Sequence, residues 1–283
     1  MPEELLLDGR CVRIVIRLGD GDMERKPIVP DLDSFPTQFR SLLTGVPVFD
    51  SSCSPTARVY YIQRAMGLYL KTAPKGTLCR EAEMDRFFHG KGLGPEVLAY
   101  ESLDADWLLT ARVPGEDCTH AMYREHPERL CDVTAELLRR LHDTDHSGCP
   151  VPDRTAEYLA TARRNYERGN YDVTLFPDNW GYASAEEAWA VVEQQGKYLK
   201  NDTLLHGDYC LPNIMLEDWR FSGFIDLDTA GVGDRHVDLF WGIWSLQFNL
   251  KTDRFRDRFL DVYGRDVFNE DLLPVVAAIE VFA

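Results

Sequence analysis

Three side chains in one stretch of this chain could together move a phosphoryl group. They lie in Leu205-His206-Gly207-Asp208-Tyr209-Cys210-Leu211-Pro212-Asn213 and in Phe224-Ile225-Asp226. Asp208 is the candidate general base for an incoming hydroxyl. Asn213 offers a neutral amide oxygen and Asp226 a second carboxylate. Phosphoryl transfer asks a protein for positioning and charge neutralisation more than for covalent help. Mg²⁺ is usually held through one or two carboxylates, with nucleotide phosphates and water completing its octahedron. Asn213 and Asp226 are therefore enough to serve as the metal ligands. His206 suits a structural role better than a basic one, because a ring nitrogen bonded to backbone would brace the loop.

Lys71 is the second anchor. It follows Leu68-Tyr69-Leu70 on an expected strand, and Glu81 comes ten residues later on the next helix. A lysine facing a cleft can pair with α- and β-phosphates, and a carboxylate behind it holds the ammonium in place. On an open surface such a pair is worth little. Its position upstream of Asp208, Asn213 and Asp226 is what gives it a functional meaning. Glu83 is the competing partner, but it lies two residues on and points to another face of the helix. The chain has no G-x-G-x-x-G and no G-x-x-x-x-G-K-[ST]. Ser51-Ser52-Cys53-Ser54-Pro55-Thr56 instead supplies hydroxyls and backbone N–H groups, either to cap phosphates or simply as a loop.

The elements that must hold these groups change texture near Pro114. Before it, Val59-Tyr60-Tyr61-Ile62 and Leu68-Tyr69-Leu70 flank Met66-Gly67 as a hairpin. Leu78 to His89 reads as a helix, ended by Gly90, Gly92, Gly94 and Pro95. Val97–Tyr100 and Trp107–Thr110 form a second hairpin-like pair. After Pro114-Gly115, helices are expected over 127–142, 154–168, 184–199, 236–248 and 252–263. Pro127 sits at a helix start, Ser184 with Glu187 makes a capping box, and Gly264 closes the last of these helices. Residues 236–248 are apolar almost all round, so that helix should be buried. Between Asn213 and Asp226, Ile214-Met215-Leu216 and Phe221–Ile225 read as short strands, and a hairpin there would set the two ligands side by side. The fold class is α+β, with a strand-rich N-lobe, a helical C-lobe and a cleft at their join, where ligand sites are favoured.

The chain has 283 residues, 45% of them apolar, enough for a sizeable core. Its net charge of −16, from 47 acidic and 31 basic residues, argues against nucleic-acid binding, which needs Lys/Arg patches. The same field would draw in a cationic small molecule, or serve solubility alone. Seven scattered cysteines with no C-x-x-C pair read as reduced thiols in a cytoplasm. No basic leader and no run of about eighteen apolar residues is present, so neither secretion nor membrane spanning is expected.

Taken together, these residues resemble the aminoglycoside phosphotransferase family, aminoglycoside 3′-phosphotransferases in particular, within the protein-kinase-like superfamily. HGDYCLPNIM and RFSGFIDLDTAGVGDRHVDL match that family's catalytic loop, metal-ligand segment and following helix. LYLK with Arg80-Glu81, SSCSPTARVY and WLLTARVPGEDC are similar to its strand lysine, nucleotide loop and hinge. ELLRRLH and DRFLDVYG also fit, and the likeness covers about residues 45–283. It implies a bilobal fold with three parts: residues 1–45 as an extension of unassigned role, 46–113 as nucleotide lobe and 114–283 as catalytic and substrate lobe. It implies Asp208 as base, Asn213 and Asp226 as Mg²⁺ ligands, and Lys71 on the phosphates of ATP or GTP with Glu81 behind it. Ser54 would lie over the β-phosphate, and the backbone at Ala111 and Val113 would bind the nucleobase. Asp178 and Glu280 would meet the acceptor.

The sequence departs from this family at Thr229, where an Arg is usual, at Phe248-Asn249, in place of two acids, and at Gly181, in place of one. The expected activity is phosphorylation of a small-molecule hydroxyl, that of an aminoglycoside first. A macrolide, choline, a methylthio-sugar or a homoserine-like acceptor remains as an alternative, as does a catalytically dead nucleotide-binding protein. A protein kinase fits less well, because the HRD, DFG and APE elements are missing.

Overall fold

The computed structural model describes residues 25–53, 56–174 and 181–283. The N-lobe comprises β1 (Lys26–Ile28), α1 (Thr37–Leu43), β2 (Val48–Asp50), β3 (Arg58–Ile62), β4 (Leu68–Pro74), α2 (Cys79–Gly90), β5 (Val97–Ser102) and β6 (Ala105–Ala111). Its strands form an antiparallel sheet in the order β1-β2-β3-β4-β6-β5. The β3–β4 hairpin turns through Ala65 and Gly67, both at positive φ. Central β4 pairs with β3 (Val59↔Lys71) on one side and with β6 (Lys71↔Leu108) on the other. Lys71 therefore sits mid-strand at the most constrained place in the sheet.

The sheet reaches further back than expected. Residues 26–43 were expected to fall within the 1–45 extension, yet β1 pairs with β2 (Ile28↔Val48). Phe35, Phe39 and Leu43 pack with Ile62, Leu70 and Trp107 in one buried cluster. The physical reason this was hidden is brevity: a three-residue edge strand with Pro27 at its centre and a helix with two buried positions give no usable periodicity.

The C-lobe follows as β7 (Glu116–Asp117), α3 (Ala121–Arg124), α4 (Pro127–His142), α5 (Arg154–Glu167) and α6 (Ala185–Gln195). Then come β8 (Thr203–Leu205), β9 (Ile214–Glu217), β10 (Arg220–Phe224), β11 (Gly231–Gly233), α7 (His236–Leu250), α8 (Arg256–Tyr263) and α9 (Leu272–Glu280). The expected helices are present, the one expected over 252–263 starting only at Arg256. The one over 184–199 ends at Gln195 and continues as a 3-10 turn over Gly196–Tyr198. Its start is capped as expected, with the Glu187 N–H on Ser184 Oγ at 3.2 Å. One large core joins α4, α7, α8 and α9, with Leu138, Phe240, Phe259 and Ile279 fully buried. Among the described residues no helix is long and apolar enough to cross a membrane.

Candidate active site

The β9–β10 hairpin sets up the site. Its tight turn is Asp218-Trp219, both at positive φ, and its strands pair Glu217↔Arg220 through Ile214↔Phe224. Asn213 precedes one strand and Asp226 follows the other, so both emerge at the same end. The Ile225 N–H donates to the Asn213 carbonyl at 3.0 Å and locks that register. Asp226 itself adopts φ 62°. A left-handed backbone at a non-glycine residue costs about 1–3 kcal/mol, so the surrounding structure must impose it. Its carboxylate is half-exposed and reaches across the cleft to Lys71.

At that junction Lys71 Nζ donates to both Glu81 oxygens at 2.9 and 2.8 Å and to Asp226 Oδ1 at 2.9 Å. Strand β4, helix α2 and the end of β10 thus converge on one ammonium. Burial alone would discharge Lys71, but Asp226 and Glu81 outweigh it and hold its pKa well above the ordinary lysine value. Burial pushes the Glu81 carboxyl up to about 7 despite the attraction of Lys71, and Asp226 adds to the rise. Asp85, one turn beyond Glu81 on α2, is also buried. Burial and the Glu81 charge raise its pKa, and its Oδ1 has no hydrogen-bond partner. Glu83, the alternative partner, lies away from the pair, and the Cys79 thiol approaches it at 4.0 Å.

Asp208 is held by its neighbours on every side. The His206 ring Nε2 meets the Ile225 carbonyl at 3.1 Å, while Nδ1 accepts from the Asp208 N–H at 3.3 Å. Those two bonds require the Nε2–H tautomer, so His206 braces the loop and is not positioned as the base. Gly207 has φ 83°, and a Cβ there would stand 2.1 Å from the Thr229 carbonyl, so no other residue fits. The Tyr209 hydroxyl donates to the Thr134 carbonyl at 2.7 Å, and the Leu211 N–H donates to Ser245 Oγ at 2.9 Å. Burial raises the pKa of the Asp208 carboxyl, opposed by the Cys210 thiol, His206 and Asn213.

Asn213 Nδ2 donates to Asp208 Oδ2 and to the Asp208 carbonyl, both at 3.0 Å. With the nitrogen so engaged, the amide oxygen is the atom left for a cation. Among the described residues no group of three or more His, Cys, Asp or Glu side chains is arranged to hold a metal ion by itself. Mg²⁺ does not need one, since an amide oxygen, an exposed carboxylate and phosphate oxygens fit its hard, oxygen-seeking chemistry.

The remaining sequence-derived residues fare differently. Ser54 and Asp178 lie outside the described residues. The Ala111 N–H is taken by the Glu96 carbonyl at 2.9 Å, so that amide is not available to a nucleobase. Val113 is buried where the lobes meet, and a Cβ on Gly223 would stand 3.0 Å from it. Glu280 is only 8% exposed. Its Oε1 accepts from the Tyr158 hydroxyl at 2.5 Å and from Trp241 Nε1 at 3.1 Å. Glu280 ends the apolar helix α9, and the burial of that helix carries its carboxylate inward. It stays near the loop all the same, and its charge helps raise the Cys210 pKa, after burial and Asp208.

One residue essential to the geometry carries no assignment from the sequence. Asp238, fully buried in the first turn of α7, accepts from the His206 N–H at 2.8 Å and the Gly207 N–H at 2.7 Å. His142 Nε2 lies 3.2 Å from the same carboxylate, and burial holds the His142 pKa down. The one clue available was an Asp inside an otherwise apolar helix, since a buried charge must have partners.

A strand-rich lobe on a helical one, with a lysine–glutamate pair facing a carboxylate loop, defines a phosphotransferase of protein-kinase-like fold. More narrowly, the chain belongs to the phosphotransferase enzyme family, whose model matches residues 56–276. It is 46% identical over 253 residues to a probable aminoglycoside 3′-phosphotransferase of Lactococcus lactis, covering 89% of this chain and 96% of that one. It is 30% identical over 230 residues to an aminoglycoside 3′-phosphotransferase of Niallia circulans, covering 79% and 87%. Among solved structures, aminoglycoside-3′-phosphotransferase of type VIII superposes with a TM-score of 0.67 at 26% identity over 80% of this chain and 88% of that one. A Streptomyces rimosus aminoglycoside phosphotransferase with ADP and streptomycin gives a TM-score of 0.63 at 22% identity over 93% of both chains, a likeness of fold.

Proposed function

We propose that this enzyme transfers the γ-phosphoryl group of ATP to the 3′-hydroxyl of an aminoglycoside. The observation that carries the reading is the set of contacts joining Lys71, Glu81 and Asp226 on one side and Asp208 and Asn213 on the other. Residues 26–113 act as the nucleotide lobe and 114–283 as the acceptor lobe. The names of the relatives favour the aminoglycoside and its 3′-hydroxyl, and a net charge of −16 favours a polycation.

In the reaction, Asp208 accepts a hydrogen bond from the acceptor hydroxyl, turns its oxygen toward the γ-phosphorus and takes the proton as the new O–P bond forms and the bond to the β,γ-bridging oxygen breaks, so that ADP leaves. Asn213 holds the Asp208 carboxylate in that orientation. Lys71, kept charged by Glu81, binds the nucleotide's phosphate oxygens and fixes them against the loop. Asn213 and Asp226 would hold Mg²⁺, which when bound supplies neutralisation of charge developing on the phosphates. The raised Asp208 pKa suits a group that must gain a proton in the transition state.

A second reading keeps the chemistry and changes the acceptor. Phe248 stacks on Trp244 with ring centroids 5.0 Å apart, and the Lys251 ammonium lies 4.3 Å from the Phe248 centroid. An aromatic pair under a cation suits a less charged acceptor such as a macrolide. The test is ADP release coupled to a spectrophotometric readout, with kanamycin, neomycin and a macrolide as acceptors and Asp208→Ala as control. Turnover with kanamycin or neomycin, lost in the variant, is expected. No turnover with either at millimolar concentration contradicts the aminoglycoside assignment.

A further inference from the structure

Glu81 and Arg80 are adjacent on α2, and both reach the other lobe. Glu81 does so through Lys71 to Asp226. Arg80 does so directly: its Nη1 lies 2.5 Å from Glu157 Oε2 in the first turn of α5, and its Nη2 donates to the Ala230 carbonyl at 3.2 Å. Ala230 is four residues beyond Asp226 on the same loop. Thr229, just before Ala230, is held as well, since Arg154, also in the first turn of α5, donates from Nε to the Thr229 carbonyl at 2.9 Å. Thr229 in turn donates from Oγ1 to the His206 carbonyl at 3.3 Å, two residues before Asp208. The 226–230 loop is therefore tied to α2 through Lys71 at Asp226 and directly at Ala230, and to the catalytic loop at Thr229.

We propose that Arg80 is an interlobe positioning residue which, with Glu157, clamps α2 against the loop that carries Asp226. The Arg80–Glu157 pair is half-exposed and by itself contributes little to stability. Its work is geometric. A single arginine can bridge a carboxylate on α5 and a backbone carbonyl on the loop because its guanidinium fans several donors in one plane. With the clamp closed, α2 cannot swing without breaking both contacts, so the Lys71–Glu81 pair stays formed before nucleotide arrives. With it open, nucleotide binding must also order α2.

This inference rests on the nucleotide reading above, and its test separates the two. Arg80→Gln, Glu157→Gln and the double variant are compared with wild type in three ways: calorimetric MgADP affinity, separate KM values for nucleotide and acceptor, and hydrogen exchange of the α2 amides. Arg80→Gln is expected to weaken MgADP about fivefold or more and to raise the nucleotide KM alike, with acceptor KM unchanged and α2 exchanging faster. Glu157→Gln should follow in the same direction more weakly, and the double variant should be no worse than Arg80→Gln. Wild-type affinity and exchange in Arg80→Gln, independent multiplicative effects of the two changes, or an equal shift of both KM values would overturn the clamp. Failure of the wild type itself to bind MgADP would instead sink the nucleotide reading, while α2 exchange would still decide the clamp.

Discussion

Replacing Asp238 with Asn probes how the catalytic loop is held. The exchange preserves size and removes one acceptor oxygen. In the native protein Asp238 Oδ1 takes the Gly207 N–H, and Oδ2 takes the His206 N–H with His142 beside it. An Asn cannot accept with its nitrogen, so at least one of those backbone donors faces an N–H group. A hydrogen bond to a charged acceptor contributes about 1.5–3 kcal/mol, and a buried donor left alone costs about 1–3 kcal/mol. The expected destabilisation is thus roughly 2–4 kcal/mol, against a total near 5–15 kcal/mol. At about 2–4 °C per kcal/mol for a domain approaching this size, Tm should fall by roughly 5–15 °C. Asp208 follows His206 and Gly207 directly, so its carboxylate loses its fixed position. A displacement of about 1 Å at such a group can reduce kcat about 10²-fold. The nucleotide KM should change far less, since the Lys71 contacts lie on other elements. Differential scanning fluorimetry and steady-state kinetics below the new Tm read both effects. A variant within about twofold of wild-type kcat, with an unaltered Tm, would refute the argument that Asp238 positions the loop.

Other expectations follow from the same contacts. Asn213→Ala should raise the Mg²⁺ concentration for half-maximal rate at least about tenfold and also lower kcat, because Asp208 loses a hydrogen bond from Nδ2; a metal titration unchanged from wild type would exclude Asn213 as a ligand. The Glu81 pKa near 7 has a kinetic sign. As pH falls through about 7, Glu81 gains a proton and Lys71 loses one of its two carboxylate partners, so nucleotide KM should rise toward acid. Glu81→Gln should show a raised KM at pH 8 and converge with wild type near pH 6. A constant ratio of the two across that range would show that Glu81 does not titrate there.

How much of this was legible in the sequence depends on range. The β9–β10 hairpin announced itself through two short apolar runs, and their pairing brought Asn213 and Asp226 together. The helix starts at Pro127 and Ser184 were readable because capping chemistry is local. The edge of the N-lobe was not, since β1 has three residues and gains its place only by pairing with β2. Asp238 bonds to backbone 31 and 32 residues away, and Arg80 to a carboxylate 77 residues away. Contacts of that kind leave no periodic trace. The surroundings of Glu280 are set by the core as well: the apolar run Leu272–Ile279 buries α9, and the carboxylate at its end follows the core inward.

The most direct measurement is ³¹P NMR of a mixture of the protein, ATP, Mg²⁺ and neomycin, run beside the Asp208→Ala variant. The account expects one new phosphomonoester resonance, growing with ADP in wild type and absent from the variant. Equal product from both proteins, or release of inorganic phosphate alone by the wild type, would contradict it.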